Sequence, residues 1–320
     1  MLSRVADNLY WMSRYLERAE NTARQLDVTM TQMLDSGEAT PNIRWNRLVD
    51  CLAVPSPFEW TGDVEEAARG LIFDRDNPAS ITYCATSARE NAGQVREEIS
   101  TEQWQRLNRL YHHMHSPLAQ EQFSNSVGEF LSTVIDGIHL FKGVTDTTMI
   151  HGLGWQFIRL GRYLERAYAT ATLLEVFVKQ AESDHDARRA GYTFLDQVGL
   201  LRCCTAFEAY CQFYTAEVTT ERILEFLLLN SQFPHAILYS VDSTLQAIDA
   251  IQQASNRRPS DELKASVGRL QAMLSYTTIQ EIYAGSAGQF LNSIRRECIR
   301  IHEQIFRHFV NYSIQAALGG

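Results

Sequence analysis

The sequence lacks any long apolar segment. None of its 320 residues belong to an apolar run of the roughly 18 residues that a membrane-spanning helix needs, and even Ile223–Leu229 contains Glu225. The first residues include Arg4 and Asp7, so they do not form the apolar core of a secretory signal. We therefore expect a cytoplasmic protein that neither spans nor binds a membrane.

Paired cysteines and an excess of positive charge are missing as well. The six cysteines show no paired spacing, and buried thiols in a reducing compartment explain them best. The formal net charge is −9 and the pI is about 5.5. Because phosphate backbones attract basic surfaces, this balance argues against a nucleic-acid partner.

The sequence also lacks the familiar motifs of catalysis. It has no G-x-S-x-G, no phosphate-binding Walker loop, no dinucleotide-binding glycine motif and no repeated Glu-x-x-His of di-iron bundles. His112 and His113 are adjacent on a predicted helix and point about 100° apart, which does not suit one metal ion. We predict no cofactor and no metal site, and an independent enzymatic activity is the less favoured hypothesis.

What the sequence does contain is an internal repeat. The hexapeptide Arg-Tyr-Leu-Glu-Arg-Ala at 14–19 returns at 162–167, so the two copies lie 148 positions apart. Apolar residues recur around both copies at steps of three and four, which is typical of one helix face: Leu9, Met12, Leu16, Ala19, Ala23, Leu26 and Met30, matched by Phe157, Leu160, Leu164, Ala167, Ala171, Leu174 and Val178.

The repeat and the absence of alternating strands predict an all-α fold. We expect a duplicated helical bundle whose two similar halves, residues 1–150 and 151–320, are related by a pseudo-twofold axis and packed as one globular unit. The helices 4–34 and 147–181 should lie at its centre.

A polar stripe runs along the same two helices. Isolated buried charges are very costly, so the charges of central helices should be paired. Arg14 and Glu17 are three residues apart and Glu17 and Asn21 are four apart, which places each pair within reach on one helix. A second polar group, around Arg89, lies on a helix predicted from Pro78 to Ile99 with Asn77 as its N-cap.

These polar residues allow two interpretations. The preferred one is that they are ion pairs that join the bundle. In the other, clustered guanidinium groups hold a carboxylate or a phosphate in a cleft between the halves. The candidate residues for both are Arg14, Glu17, Arg18, Asn21, Arg24, Arg89, Glu90, Asn91, Arg162, Glu165 and Arg166.

Several longer runs make the chain resemble a known family over essentially its whole length. It is similar to the bacterial alpha-E domain proteins, an all-helical family named for a recurring Glu-Arg motif. The runs that carry the resemblance are Met1–Arg24, Phe73–Ala92, Gly143–Arg166 and Phe226–Ile237. Two positions depart from the family pattern, since Gly93 and His235 stand where the family usually has basic residues.

The resemblance implies partners rather than a reaction. It implies a genomic neighbourhood with the genes of a circularly permuted ATP-grasp ligase and often of a transglutaminase-like protein. Such a set implies ATP-driven amide or peptide bond formation. Three hypotheses follow. The chain is a helical partner or scaffold subunit of such a system, a stand-alone enzyme that acts on an amino acid or peptide through its Arg/Glu cluster, or a structural protein that forms homo-oligomers.

Overall fold

The described part of the chain is helical. The computed structural model describes residues 3–35, 41–52, 62–183, 194–214, 217–254 and 261–310, and within them it contains α-helices, a final π-helical turn and no strand. The all-α prediction is confirmed. None of the helices in these ranges is both long and apolar enough to cross a membrane.

The first half of the chain contributes seven helices within the described residues. They are α1 Ser3–Asp35, α2 Pro41–Leu52, α3 Val64–Phe73, α4 Ile81–Gly93, α5 Thr101–Met114, α6 Pro117–Asn125 and α7 Val127–Thr148.

The second half contributes eight more helices and the π-helical turn Phe306–Val310. They are α8 Leu153–Ser183, α9 Phe194–Cys203, α10 Phe207–Tyr214, α11 Thr220–Leu229, α12 Ile237–Ala254, α13 Asp261–Tyr276, α14 Ile279–Ala284 and α15 Ala287–Ile305.

The two long helices α1 and α8 form the centre of the fold. They pack against each other, α4 and α7 pack on α1, and α12 and α15 pack on α8. Apolar stripe residues such as Leu9, Leu16 and Leu164 are buried, as the spacing predicts. The predicted start of α8 at 147 is wrong, because α7 continues to Thr148 and a turn over 149–152 separates the two helices.

Helix α4 starts later and ends earlier than expected. Asn77 does not cap it; its Oδ1 accepts from the backbone N–H of Ala79 at 2.9 Å, which closes a turn before the helix. Ser80 is the N-cap instead, and its Oγ accepts from the N–H of Tyr83 at 3.0 Å. The helix then ends at Gly93, and residues 94–98 form turns rather than the predicted last helical turns.

Close contact between α1 and α8 depends on one glycine. A Cβ on Gly161 would lie 2.3 Å from the backbone oxygen of Tyr10 and 3.3 Å from Cβ of Ser13. A side chain there would force the backbones of the two central helices apart, because a backbone atom cannot rotate away as a flexible side chain does. Gly161 therefore sets the distance at which the polar stripes of the two helices face each other.

We predict that Gly161→Ala destabilises the protein although alanine is the better helix former. Overpacking typically costs about 1–3 kcal/mol, and a helical Gly→Ala change otherwise gains about 1 kcal/mol. Gly143→Ala in α7 is the matched control, because a Cβ there meets no atom within 4 Å. The free energy of unfolding in denaturant should fall for Gly161→Ala and rise for Gly143→Ala. Equal gains at both sites would show that the helix pair can separate freely.

Candidate functional site between the central helices

Two ion pairs connect the central helices in a reciprocal way. Nε of Arg166 on α8 donates to Glu17 on α1 at 2.5 Å, and Nε of Arg18 on α1 donates to Glu165 on α8 at 2.9 Å. Each Glu-Arg dipeptide thus exchanges partners with the other copy. The predicted pairing of Arg14 with Glu17 along one helix is wrong, since Arg14 reaches across to the facing helix instead.

Glu165 is held by two guanidinium groups, and the side chains of Arg14, Arg18 and Glu165 form a first cluster. Its Oε2 accepts from Nε of Arg14 at 2.6 Å, and its Oε1 accepts from Arg18. The Glu165 side chain is only 6% exposed, and burial alone would raise its pKa. The adjacent Arg14 and Arg18 outweigh that effect and lower the pKa, so the carboxylate is charged in the folded protein.

Glu17 belongs to a second cluster, which extends to α7. Its other oxygen accepts from Nζ of Lys142 at 2.5 Å, and Lys142 also pairs with Glu20. Burial raises the pKa of Glu17, but Arg166 and Lys142 more than compensate and hold it at about 2. Glu20 has in addition a bond from Arg24 at 3.1 Å, and its pKa is well below the usual range, because Lys142 and its other partners outweigh burial.

His302 from α15 completes the first cluster. Its Nδ1 lies 2.9 Å from Nη1 of Arg14 and 2.9 Å from the hydroxyl of Tyr10. A guanidinium group has no lone pair, so Nδ1 is the acceptor and the proton of the neutral ring is assigned to Nε2. Burial and then the charge of Arg14 lower the pKa of His302 to about 4, which keeps the ring neutral at physiological pH.

A cavity of about 250 Å³ opens beside this first cluster. Arg14, Arg18 and Glu165 form part of its wall, together with His302 and Tyr168. The remaining wall combines small polar groups with apolar ones: Asn21, Thr22, Cys51, Leu52, Ala79, Leu164, Ala169, Thr172, Cys298 and Ile299. The cavity therefore joins α1, α2, α8 and α15 around a buried ion-pair cluster.

The remaining predicted site residues of α1 and α8 are Asn21, Arg24 and Arg162. Asn21 and Arg24 lie on α1 beside the clusters, where Asn21 Oδ1 accepts from Gln25 at 2.9 Å. Arg162 is buried, its Nε has no hydrogen-bond partner, and its Nη1 lies 3.7 Å from Asp146.

Arg89, Glu90 and Asn91 do not join the site. Arg89 turns toward α5, donates to Asn108 at 2.7 Å and lies over the ring of Tyr111. Asn91 donates to the backbone oxygen of Ser87 within its own helix, and Glu90 is exposed. Their spacing on one helix could not reveal that they face away from α1 and α8.

Sequence reasoning missed Lys142 and His302. Lys142 is a single cation in an apolar helix, and His302 lies near the end of the chain, far in sequence from Arg14. Lys142 lies 125 positions from its partner Glu17, and His302 lies 288 positions from Arg14, so no local sequence pattern predicts these contacts.

The two positions that depart from the family pattern have different surroundings. His235 lines a small cavity with Glu17, Glu20 and Arg166, and burial and then Arg166 lower its pKa to about 3. A Cβ on Gly93 would meet only Trp104, at 3.8 Å, so that position has room for a side chain.

A metal site is not found in the part of the chain that the structure describes. Within it no three His, Cys, Asp or Glu side chains come together in a way that could hold a metal ion. The two cysteines of the cavity wall, Cys51 and Cys298, are buried, and burial raises the pKa of each thiol to about 12, which favours the protonated thiol over the thiolate nucleophile.

Residues 1–310 match a family described as a predicted alpha-helical domain with a conserved ER motif, named Alpha-E. The chain belongs to the Alpha-E family. Its Glu17-Arg18 and Glu165-Arg166 dipeptides are the Glu-Arg pairs that bond across α1 and α8. In this Alpha-E protein, the Glu-Arg sequence thus joins the two central helices.

Uncharacterized proteins from Mycobacterium bovis and from two strains of Mycobacterium tuberculosis are similar to this Alpha-E protein. Each is 23% identical over 269 residues, which covers 75% of this chain but only 29% of the relative. The chain thus spans less than a third of the length of these relatives. No solved structure matches it.

We predict that acid destabilises the fold in two stages. His235 and His302 have folded pKa values below the usual 6.5, so the unfolded chain takes up their protons first as the pH falls below 6.5. The folded pKa values of Glu17, Glu20 and Glu165 are below 4.5, so their stabilising contribution is complete above that pH and is lost below it. The free energy of unfolding in denaturant should therefore decline from about pH 6.5, and more steeply below about pH 4.5.

A pair of histidine variants tests the assignment of the first stage. His302→Gln keeps an acceptor for Arg14 and should reduce the decline between about pH 6.5 and pH 4. The exposed His112 offers the control, and His112→Gln should leave the decline unchanged. A free energy of unfolding that stays constant down to pH 4 would show that these groups are hydrated in the folded protein.

Proposed function

We propose that this Alpha-E protein is a helical partner or scaffold subunit of an ATP-grasp-type system that forms amide or peptide bonds. It binds the ligase, which is circularly permuted in the systems that the family accompanies, and it can bind the carboxylate substrate. A transglutaminase-like protein is a further partner in the proposal. The proposed compartment is the cytoplasm, where ATP is available.

The cavity beside Arg14 and Arg18 is the observation that carries the proposal. Guanidinium groups bind carboxylates through paired hydrogen bonds, and carboxylates are the groups that a peptide ligase activates. Both side chains are held in place by Glu165, so little side-chain entropy is lost when an anion binds. The cavity offers binding groups without a recognisable nucleophile, which favours a binding role over independent turnover.

The length of the relatives supports a role beside other proteins. In the mycobacterial relatives the matching region is 29% of the chain, so there it is joined to a much longer polypeptide. Covalent joining holds two domains at a high effective concentration, an arrangement that suits domains which act together. A separate chain would achieve the same proximity by binding.

The duplication of the fold is also part of this proposal. Thr22 donates to the backbone oxygen of Ala79 at 3.1 Å, and Thr170 donates to that of His235 at 3.3 Å. The reciprocal Glu-Arg bonds and the packing of α4 on α1 and of α12 on α8 follow the same pattern. These contacts support two halves, 1–150 and 151–320, related by a pseudo-twofold axis and forming one unit.

Association with the ligase tests the partner role. We expect the purified protein and the ATP-grasp ligase encoded beside it to form a complex with a Kd of about 10 µM or lower, measured by analytical ultracentrifugation. ATP-dependent amide synthesis by the ligase should increase at least severalfold when the protein is added.

Two arginine variants test whether the stimulation of the ligase depends on the cavity or on surface charge in general. Arg14→Ala should lower the stimulated synthesis, whereas Arg222→Met, which removes a half-exposed arginine, should not. No association, together with full ligase activity without the protein, would reject the partner role. Turnover of an amino acid or peptide by the isolated protein, abolished by Arg14→Ala, would assign an enzyme instead.

A further inference from the structure

The cavity beside the first cluster contains more free donors than free acceptors. Among the described residues no hydrogen bond involves Nη2 of Arg14, Nη1 of Arg18 or Nε2 of His302, and all three side chains line the cavity. Nδ2 of Asn21 is a further N–H donor of the wall, since only the Oδ1 of that amide is used. The wall is therefore complementary to a ligand that accepts hydrogen bonds.

The charges of the wall favour a single negative charge. Arg14 and Arg18 contribute two positive charges, Glu165 removes one, and the neutral His302 adds none, so the net charge is about +1. A monoanion balances this charge. A phosphate dianion would leave an uncompensated negative charge next to the buried Glu165, which is costly away from water.

The same wall disfavours an ammonium group. Its one carboxylate, that of Glu165, already accepts bonds from both arginines. The hydroxyl of Tyr168 accepts from Arg295 at 3.3 Å, and the Asn21 oxygen accepts from Gln25. A cationic group that entered the cavity would lie beside two guanidinium groups without an uncommitted carboxylate to bind it.

We propose that the cavity binds the carboxylate of a small ligand whose neighbouring nitrogen is acylated, such as an N-acylated amino acid or the C-terminal residue of a peptide. This inference rests on the proposed function and specifies its substrate class. The carboxylate accepts from Arg18 and Arg14 and from Nε2–H of His302, while the side chain lies against Leu52, Leu164 and Ile299. The ammonium group of a free amino acid and the second negative charge of a phosphate dianion both disfavour binding.

Isothermal titration calorimetry with four probes tests this specificity. N-acetylalanine should bind, and alanine, inorganic phosphate and the uncharged N-acetylalanine N′-methylamide should each bind at least about 10-fold more weakly. The titrations are made on the protein alone and on its complex with the ligase. Failure of N-acetylalanine to bind to either sample, or equal binding of any other probe, would overturn the inference.

Two variants locate the binding site. Ile299 is partly exposed at the cavity, so Ile299→Trp narrows it without changing any charge and should weaken binding of N-acetylalanine at least about 10-fold. Ile150→Trp, at an exposed position outside the cavity wall, is the matched control and should bind as the unsubstituted protein does.

Arg18→Met removes one of the proposed contacts and should also weaken binding at least about 10-fold. Circular dichroism and a thermal melt establish whether each variant is folded. If Arg18→Met does not fold, the binding measured for Ile299→Trp decides the test. Unchanged binding by Ile299→Trp would place the ligand elsewhere and overturn the inference.

The inference and the proposed function can fail separately. A ligase complex that forms and is active, although N-acetylalanine does not bind, would reject the cavity assignment alone. Binding of N-acetylalanine in the cavity without any ligase complex would reject the partner role and leave the cavity assignment standing.

Discussion

The exchange of charge between α1 and α8 is the interaction on which the rest of the structure depends. Each helix buries a glutamate that pairs with arginines of the facing helix, Arg166 for Glu17 and Arg14 and Arg18 for Glu165. Neither helix could be buried alone, because an unpaired internal charge costs several kcal/mol. The close approach at Gly161 and the packing of α4, α7, α12 and α15 around the pair maintain the geometry that this exchange requires.

Differences between the two copies give the site its chemistry. Arg14 contacts Glu165, Tyr10 and His302, whereas Arg162 at the equivalent position lies 3.7 Å from a half-exposed Asp146. In the same way, Glu17 has Lys142 as an additional partner, whereas both neighbours of Glu165 are arginines. The cavity and its free donors therefore lie on the Glu165 side, where α15 adds His302 to the wall. An ion-pair cluster that stabilises the bundle thus also provides binding groups.

Much of the fold, but only part of the site, could be predicted from the sequence. The apolar stripes identified α1 and α8 because helical periodicity is a local property, and the cost of burying charge indicated that Glu17 and Glu165 would be paired. The choice of partner was not predictable, because an arginine three residues away and one on a facing helix are equally compatible with the spacing. Arg89 shows the same limit, since only the packing of α4 on α5 reveals that it turns away.

The helix ends followed turn chemistry more than periodicity. Asn77 and Ser80 are both good caps, and the bond from Ala79 to Asn77 decided between them. The chain also breaks at Thr205, whose φ of 51° ends α9 together with the bond from the N–H of Ala206 to the backbone oxygen of Leu201.

The most direct test of the Glu-Arg exchange between α1 and α8 is a double-mutant cycle of Glu17→Gln and Arg166→Met, read as free energies of unfolding. We expect a coupling energy of about 2 kcal/mol or more, as for residues of one buried pair. A coupling energy near zero would contradict the claim that the exchanged Glu-Arg pairs hold the two helices together.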